Sequence, residues 1–166
     1  MMEQLGKVAR NGTENLNGFS RELDDLAGKF ALDPNPGNLS ALKGKMNELT
    51  ELAAVIDEPG VTLLGTGVKP TVAGTVVKDL DAVAQLTSGQ KVIYEFKHGS
   101  SFANPSTAQA EKLIRQVTGR VELAKQPGAL QGAKIIVRLR GGTWSPSLRE
   151  KLINLGNSGI TIEVVP

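Results

Sequence analysis

The chain has 166 residues, of which 40% are hydrophobic and 22% charged, a balance that suits a globular protein and excludes a disordered chain or a fibre. It has no cysteine and one histidine, His98. That rules out a disulfide frame, a thiolate or multi-histidine metal site and a cysteine nucleophile. No apolar run approaches the ~18 residues needed to span a bilayer, so no membrane span is expected. The N-terminal MMEQLGKVARNG lacks the apolar middle of a signal peptide, which points to a cytosolic protein or a piece of a larger one. The net charge of +2 is unevenly divided. Residues 1–90 carry 8 Lys+Arg against 12 Asp+Glu (net −4), and residues 91–166 carry 11 against 5 (net +6). The basic half suits an anionic partner such as nucleic acid, or is simply a solvated face.

Taken in chain order, Leu16, Phe19, Leu23, Leu26 and Phe30 recur at helical spacing and predict a helix over 13–30. Pro34 and Pro36 interrupt the pattern and mark an internal boundary. A second helix is expected from near Ser40 to Ile56, with Leu42, Met46, Leu49, Leu52 and Ile56 as its apolar stripe. Three strands follow: VTLLGTG, then TVAGTVVKDLDAVAQL, then KVIYEFK, the last two joined as a hairpin through Thr87-Ser88-Gly89-Gln90. A helix over 105–125 carries Ala108, Leu113, Val117 and Val121 or Leu123 on its apolar side. A strand over 133–140, a helix over 145–156 and a strand over 160–165 complete the chain. The order α–α–β–β–β–α–β–α–β predicts an α/β sandwich around a mixed sheet.

The chemistry is concentrated in residues 79–97. Side chains alternate faces along a strand, so Glu95 and Lys97 share one face, as do Asp79 and Asp81. Pairing through the 87–90 turn brings an acidic residue beside Glu95 and Lys97. Two carboxylates and an ammonium on one face suit Mg²⁺, or Mn²⁺, with a lysine to position a water or stabilise charge. That constellation suggests metal-assisted phosphodiester hydrolysis. The plainer reading is an edge strand with solvent-facing charges.

Asp81, one hairpin and then Glu95-Phe96-Lys97 resemble the pattern of the PD-(D/E)xK nuclease superfamily, and LDAVAQ…VIYEFK is similar to its Holliday-junction-resolvase branch. The resemblance covers about 100 residues, and no proline precedes Asp79 or Asp81. It implies a restriction-endonuclease-like core, αβββαβ, a mixed sheet flanked by helices. An N-terminal helical extension (1–37) would precede a nuclease domain (38–166). It further implies that Asp81 and Glu95 hold the metal with the Phe96 carbonyl, and that Lys97 assists the attacking water. Asp79 is the second candidate for the first position. Glu48, on the first core helix, and Gln109, on the helix after the motif, are additional candidates; Glu51 lies nearly opposite the expected stripe. Asp81→Ala or Glu95→Ala is expected to abolish hydrolysis and leave folding intact.

His98 follows the motif and reads either as a phosphate contact or as a surface residue. Arg138, Arg140 and Trp144 are candidate nucleic-acid contacts, with Trp144 equally readable as core. Lys112, Arg115 and Arg120 read as phosphate-tracking or merely solvated. Gly60…Gly65-Thr66-Gly67 lacks the Lys-Ser/Thr of a phosphate loop and reads as a strand turn. The layout, with about forty acidic helical residues before the core, is similar to the C-terminal toxin domain of bacterial polymorphic or contact-dependent inhibition systems. That likeness implies delivery as part of a larger secreted or cell-surface protein, action in the target-cell cytoplasm, and an acidic immunity protein that covers the site. The alternatives are a cytoplasmic junction-cleaving repair nuclease, acting as a homodimer on branched DNA, and a catalytically silent nucleic-acid-binding module.

Overall fold

The structure, a computed structural model, describes residues 16–72, 75–76 and 79–166. The expected first turn at 13–15 and the N-terminal segment lie outside the described residues. Helix α1 spans Leu16–Leu32 and α2 spans Pro36–Ile56. The second helix thus starts four residues before Ser40. Proline is tolerated in a first turn, whose amides have no helical partner, and the Asn35 side chain caps the end by accepting the Asn38 N–H at 2.9 Å.

Strand β1 (Val61–Val68) contains Gly65 inside it, at a register shift against its partner, so the expected strand turn is in fact a bulge. The long middle strand expected from residue 71 is also corrected. Thr71–Val72 (β2) and Thr75–Val76 (β3) form a separate two-residue pair, and β4 is only Leu80–Leu86. A glycine, Gly74, interrupts the β-branched run there; residues 73–74 and 77–78 lie outside the described residues. Strand β5 (Lys91–His98) returns through the expected turn, where Gly89 takes a φ of 84° and the Leu86 N–H donates to the Gln90 carbonyl. Helix α3 (Thr107–Lys125), β6 (Lys134–Arg140), α4 (Pro146–Asn154) and β7 (Ile162–Val165) follow.

The five-stranded sheet runs β1-β4-β5-β6-β7, antiparallel over its first three strands and parallel over its last three. The fold is therefore α/β with a mixed sheet flanked by helices. Strand β5 is central, and Val92 through Phe96 are all buried, which removes the edge-strand reading of Glu95. Alternation along the strands feeds two cores. Tyr94 and Phe96 join Phe19 and Leu23 of α1 and Leu49, Leu52 and Val55 of α2. Ile93, Ile135 and Val137 join Leu113, Val117 and Val121 of α3 and Leu148 and Leu152 of α4.

Four expected stripe members are not in these cores: Met46 and Ala108 are exposed, and Leu26 and Phe30 are only half-buried. The second half of α2 is instead buried nearly all round: Leu49, Glu51, Leu52, Ala53 and Val55. No described helix is long and apolar enough to cross a membrane.

Candidate active site

Strands β4 and β5 stay paired as far as Ala82 opposite Tyr94. Beyond that point the Phe96 N–H donates to the Asp81 carboxylate at 2.7 Å instead of to a main-chain oxygen of β4. The side chain of Asp81 thus completes the ladder where the backbone leaves it, and its carboxylate is held close to β5. Odd-numbered positions of β5 face α3, which puts Glu95 and Lys97 on one side.

At this end of the sheet lies a cleft of about 190 Å³, lined on the strands by Asp81, Glu95, Phe96, Lys97 and His98. Gly44, Asn47, Glu48 and Glu51 of α2 and Gln116 of α3 close it. A wider groove of about 480 Å³ shares Phe96, Lys97, His98 and Gln116 with it and reaches Gln109 and Lys112.

The cleft is dense in charge. Lys97 Nζ donates to Glu95 Oε1 and, at 2.9 Å, to the Phe96 carbonyl. Glu95 is 1% exposed, and its other oxygen, Oε2, accepts from Arg120 at 3.1 Å. Burial, reinforced by the Glu95 charge, pushes the Asp81 carboxyl up to about 7. Burial also raises the Glu48 carboxyl above its ordinary value, opposed by Lys45, which donates to it at 2.9 Å. Lys45 is bonded in turn to Glu22 of α1 at 2.8 Å and lies 4.2 Å from the centre of the Phe19 ring. Burial disfavours the Lys45 charge, but Glu48 and Glu22 outweigh it and hold its ammonium above the ordinary value.

Oxygen donors of this kind fit a small divalent cation. Asp81, Glu95 Oε1 and the Phe96 carbonyl are hard ligands, and an ammonium already sits on two of them. Among the described residues no three His, Asp or Glu side chains are grouped to hold a metal; the donors here are two carboxylates and a main-chain carbonyl.

Comparison with protein-family models, with curated proteins and with solved structures finds no match.

Of the candidates read from sequence, Asp81, Glu95, Phe96, Lys97, Glu48 and His98 come together in the cleft. Asp79 does not: its exposed carboxylate lies 3.8 Å from Lys69, and only its carbonyl turns inward. Gln109 lines the outer groove, but its side-chain oxygen accepts the Ser106 N–H in a capping box.

The three proposed nucleic-acid contacts are engaged in structure. Arg138 pairs with Glu58 and lies over the Tyr94 ring, 5.5 Å from its centre. Arg140 pairs with Glu51, and half-buried Trp144 stacks near Phe102 and donates its indole N–H to the Val165 carbonyl at 2.9 Å. Arg120 is not a solvated face residue; it is 2% exposed.

Sequence reasoning missed Glu51, Asn47, Gln116 and the inward role of Arg120. Two of these left a signal. Arg120 lies seven residues after Leu113 and three after Val117, inside the apolar stripe of α3, and Gln116 falls two turns after Gln109 on the same side. Glu51 left none, because its burial depends on Arg138 and Arg140 arriving from a strand nearly ninety residues on.

Proposed function

We propose that the chain is a metal-dependent nuclease that hydrolyses phosphodiester bonds, with a restriction-endonuclease-like core. The observation that carries this reading is the convergence of Asp81, Glu95, the Phe96 carbonyl and Lys97 in one cleft, with an ammonium seated on Glu95 and Phe96. The order α2–β1–β4–β5–α3–β6 supports it as well, since it follows the αβββαβ order that the motif's resemblance implies, with β2 and β3 as an insertion.

Asp81, Glu95 Oε1 and the Phe96 carbonyl would hold Mg²⁺ or Mn²⁺, which, when bound, polarises a phosphoryl oxygen and lowers the pKa of a bound water. The protein's own groups do the rest. Phe96 N–H keeps Asp81 oriented toward the cleft. Lys97 Nζ, once its contacts with Glu95 and Phe96 are given up to the cation, is the donor that orients the attacking water and offsets the charge on the phosphate. Exposed His98 and Lys112 border the groove that leads to this point and offer contacts to the flanking phosphates.

The test is incubation of the purified protein with plasmid DNA and with total tRNA, in Mg²⁺ and in EDTA. Metal-dependent cleavage that disappears in Asp81→Ala is expected. Cleavage in EDTA, or full activity in that variant, would overturn the reading. Binding without cleavage by the wild-type chain would point to the silent nucleic-acid-binding module. The proposal extends to the biological setting: a toxin domain acting in a target cell and neutralised by an acidic partner that covers the groove holding Lys97 and Lys112.

A further inference from the structure

Arg120 does not line the cleft, yet it is buried beside it. A guanidinium 2% exposed is costly to keep in a core unless its donors are matched. Here they are: Nε and Nη2 approach Glu95 Oε2 at 3.3 and 3.1 Å, and Nη2 also donates to the Asp79 carbonyl at 2.8 Å. One side chain from α3 therefore grips two strands. It holds the carboxylate of Glu95 on β5, and it ties down the residue that leads into β4 one step before Leu80 and two before Asp81. The Glu95 oxygen it occupies is Oε2, which leaves Oε1 toward the cleft, where Lys97 now sits.

We infer that Arg120 is a positioning residue for the candidate cation site: by clamping Glu95 Oε2 and the Asp79 carbonyl together, it sets which Glu95 oxygen is presented and how far Asp81 stands from it. The inference rests on the nuclease reading in taking Glu95 and Asp81 as the cation's ligands. A planar fork can hold a carboxylate and a carbonyl at once. An ammonium at the same place is a point charge on a shorter reach and satisfies one of them well. Partners that orient a metal's ligands commonly alter its affinity 10–100-fold when they are replaced.

The decisive comparison is between wild type, Arg120→Lys and Arg120→Gln, with Glu95→Gln as the control for ligand loss. Mn²⁺ binding to the full chain is measured by calorimetry, folding by circular dichroism and thermal melting, and cleavage across a series of Mn²⁺ concentrations. The expected result is a folded Arg120→Lys protein that binds Mn²⁺ about tenfold more weakly and recovers most of its cleavage rate at saturating Mn²⁺, whereas Glu95→Gln recovers none. Recovery of rate with metal separates positioning from a general loss of packing. Arg120→Gln, which keeps a donor for the Asp79 carbonyl without the charge, serves if the lysine variant does not fold.

Unchanged Mn²⁺ affinity in a folded Arg120 variant would overturn the inference and leave the nuclease reading in place. Failure of wild type to bind Mn²⁺ at all would overturn both. If neither variant folds, Arg120 belongs to the fold alone and the inference falls.

Discussion

Asp81 is where burial and charge oppose each other most directly. Burial first, and the neighbouring Glu95 second, push its carboxyl from an ordinary 3.8 to about 7. A carboxyl whose value is raised in the folded state binds its proton more tightly there than in the unfolded chain. The stability that neutral Asp81 contributes is therefore complete below about 3.8 and gone above about 7. Without divalent ions, the melting temperature of wild type should fall relative to Asp81→Asn as pH rises through that window. A constant difference between the two from pH 4 to 8 would show that the pressure on Asp81 is absent. Glu95 behaves differently. The sequence alone expects Glu95→Ala to leave folding intact, but the carboxylate is the partner of buried Arg120, and removing one member of such a pair costs about 3–5 kcal/mol. Urea denaturation should register that loss for Glu95→Ala, while Glu95→Gln, which keeps acceptor and shape, should lose cleavage with a smaller penalty. Lys97→Ala should slow turnover strongly, and Lys97→Arg should not restore it, since a guanidinium fork cannot take the place of a compact ammonium bonded to both Glu95 and Phe96.

Between elements, the loops that carry cleft residues are held by close backbone approaches. A Cβ on Gly142, in the loop after β6, would overlap the Gly99 carbonyl directly after His98. Gly142→Ala is therefore expected to cost about 1–3 kcal/mol and to displace the end of β5. Gly28, on the exposed side of α1, has nothing within 4 Å of a Cβ, and Gly28→Ala should stabilise by about 0.5–1 kcal/mol. Parallel denaturation curves check the two signs, and equal effects would refute the close-approach argument. The same contrast between local and distant causes decides what could be read from sequence. The β4–β5 hairpin, which brings Asp81 to the cleft beside Glu95 and Lys97, was legible because its turn and alternation are local. The α2 start was misplaced because a proline that ends one helix can also begin the next. Glu51, Arg138 and Arg140 were misread because charges far apart in the chain neutralise one another across the sheet and α2.

At the scale of the whole molecule, the proposed setting makes a prediction that the catalytic proposal does not. Expressed alone in bacteria, the chain should arrest growth, and arrest should vanish with Asp81→Asn or with co-expression of an acidic cognate protein. Normal growth in the presence of soluble, cleaving protein would remove the toxin setting and leave the nuclease standing. Helix α1 bears on the same question. Its Phe19 and Leu23 are buried in the core shared by α2 and β5, and its Glu22 reaches Lys45, the partner of Glu48 in the cleft. Burying two such side chains is worth about 3–6 kcal/mol, a large share of the stability typical of a domain this size. A fragment of residues 33–166, which keeps all of α2 and its Asn35 cap, should melt well below the full chain, and equal stability would show that α1 contributes little. If the proposed toxin setting holds and the chain is exchanged between carrier proteins by recombination, a crossover between α1 and α2 would thus give offspring that carry every candidate site residue yet fold poorly. Under that proposal the inheritable cassette would be longer than the candidate site by one helix.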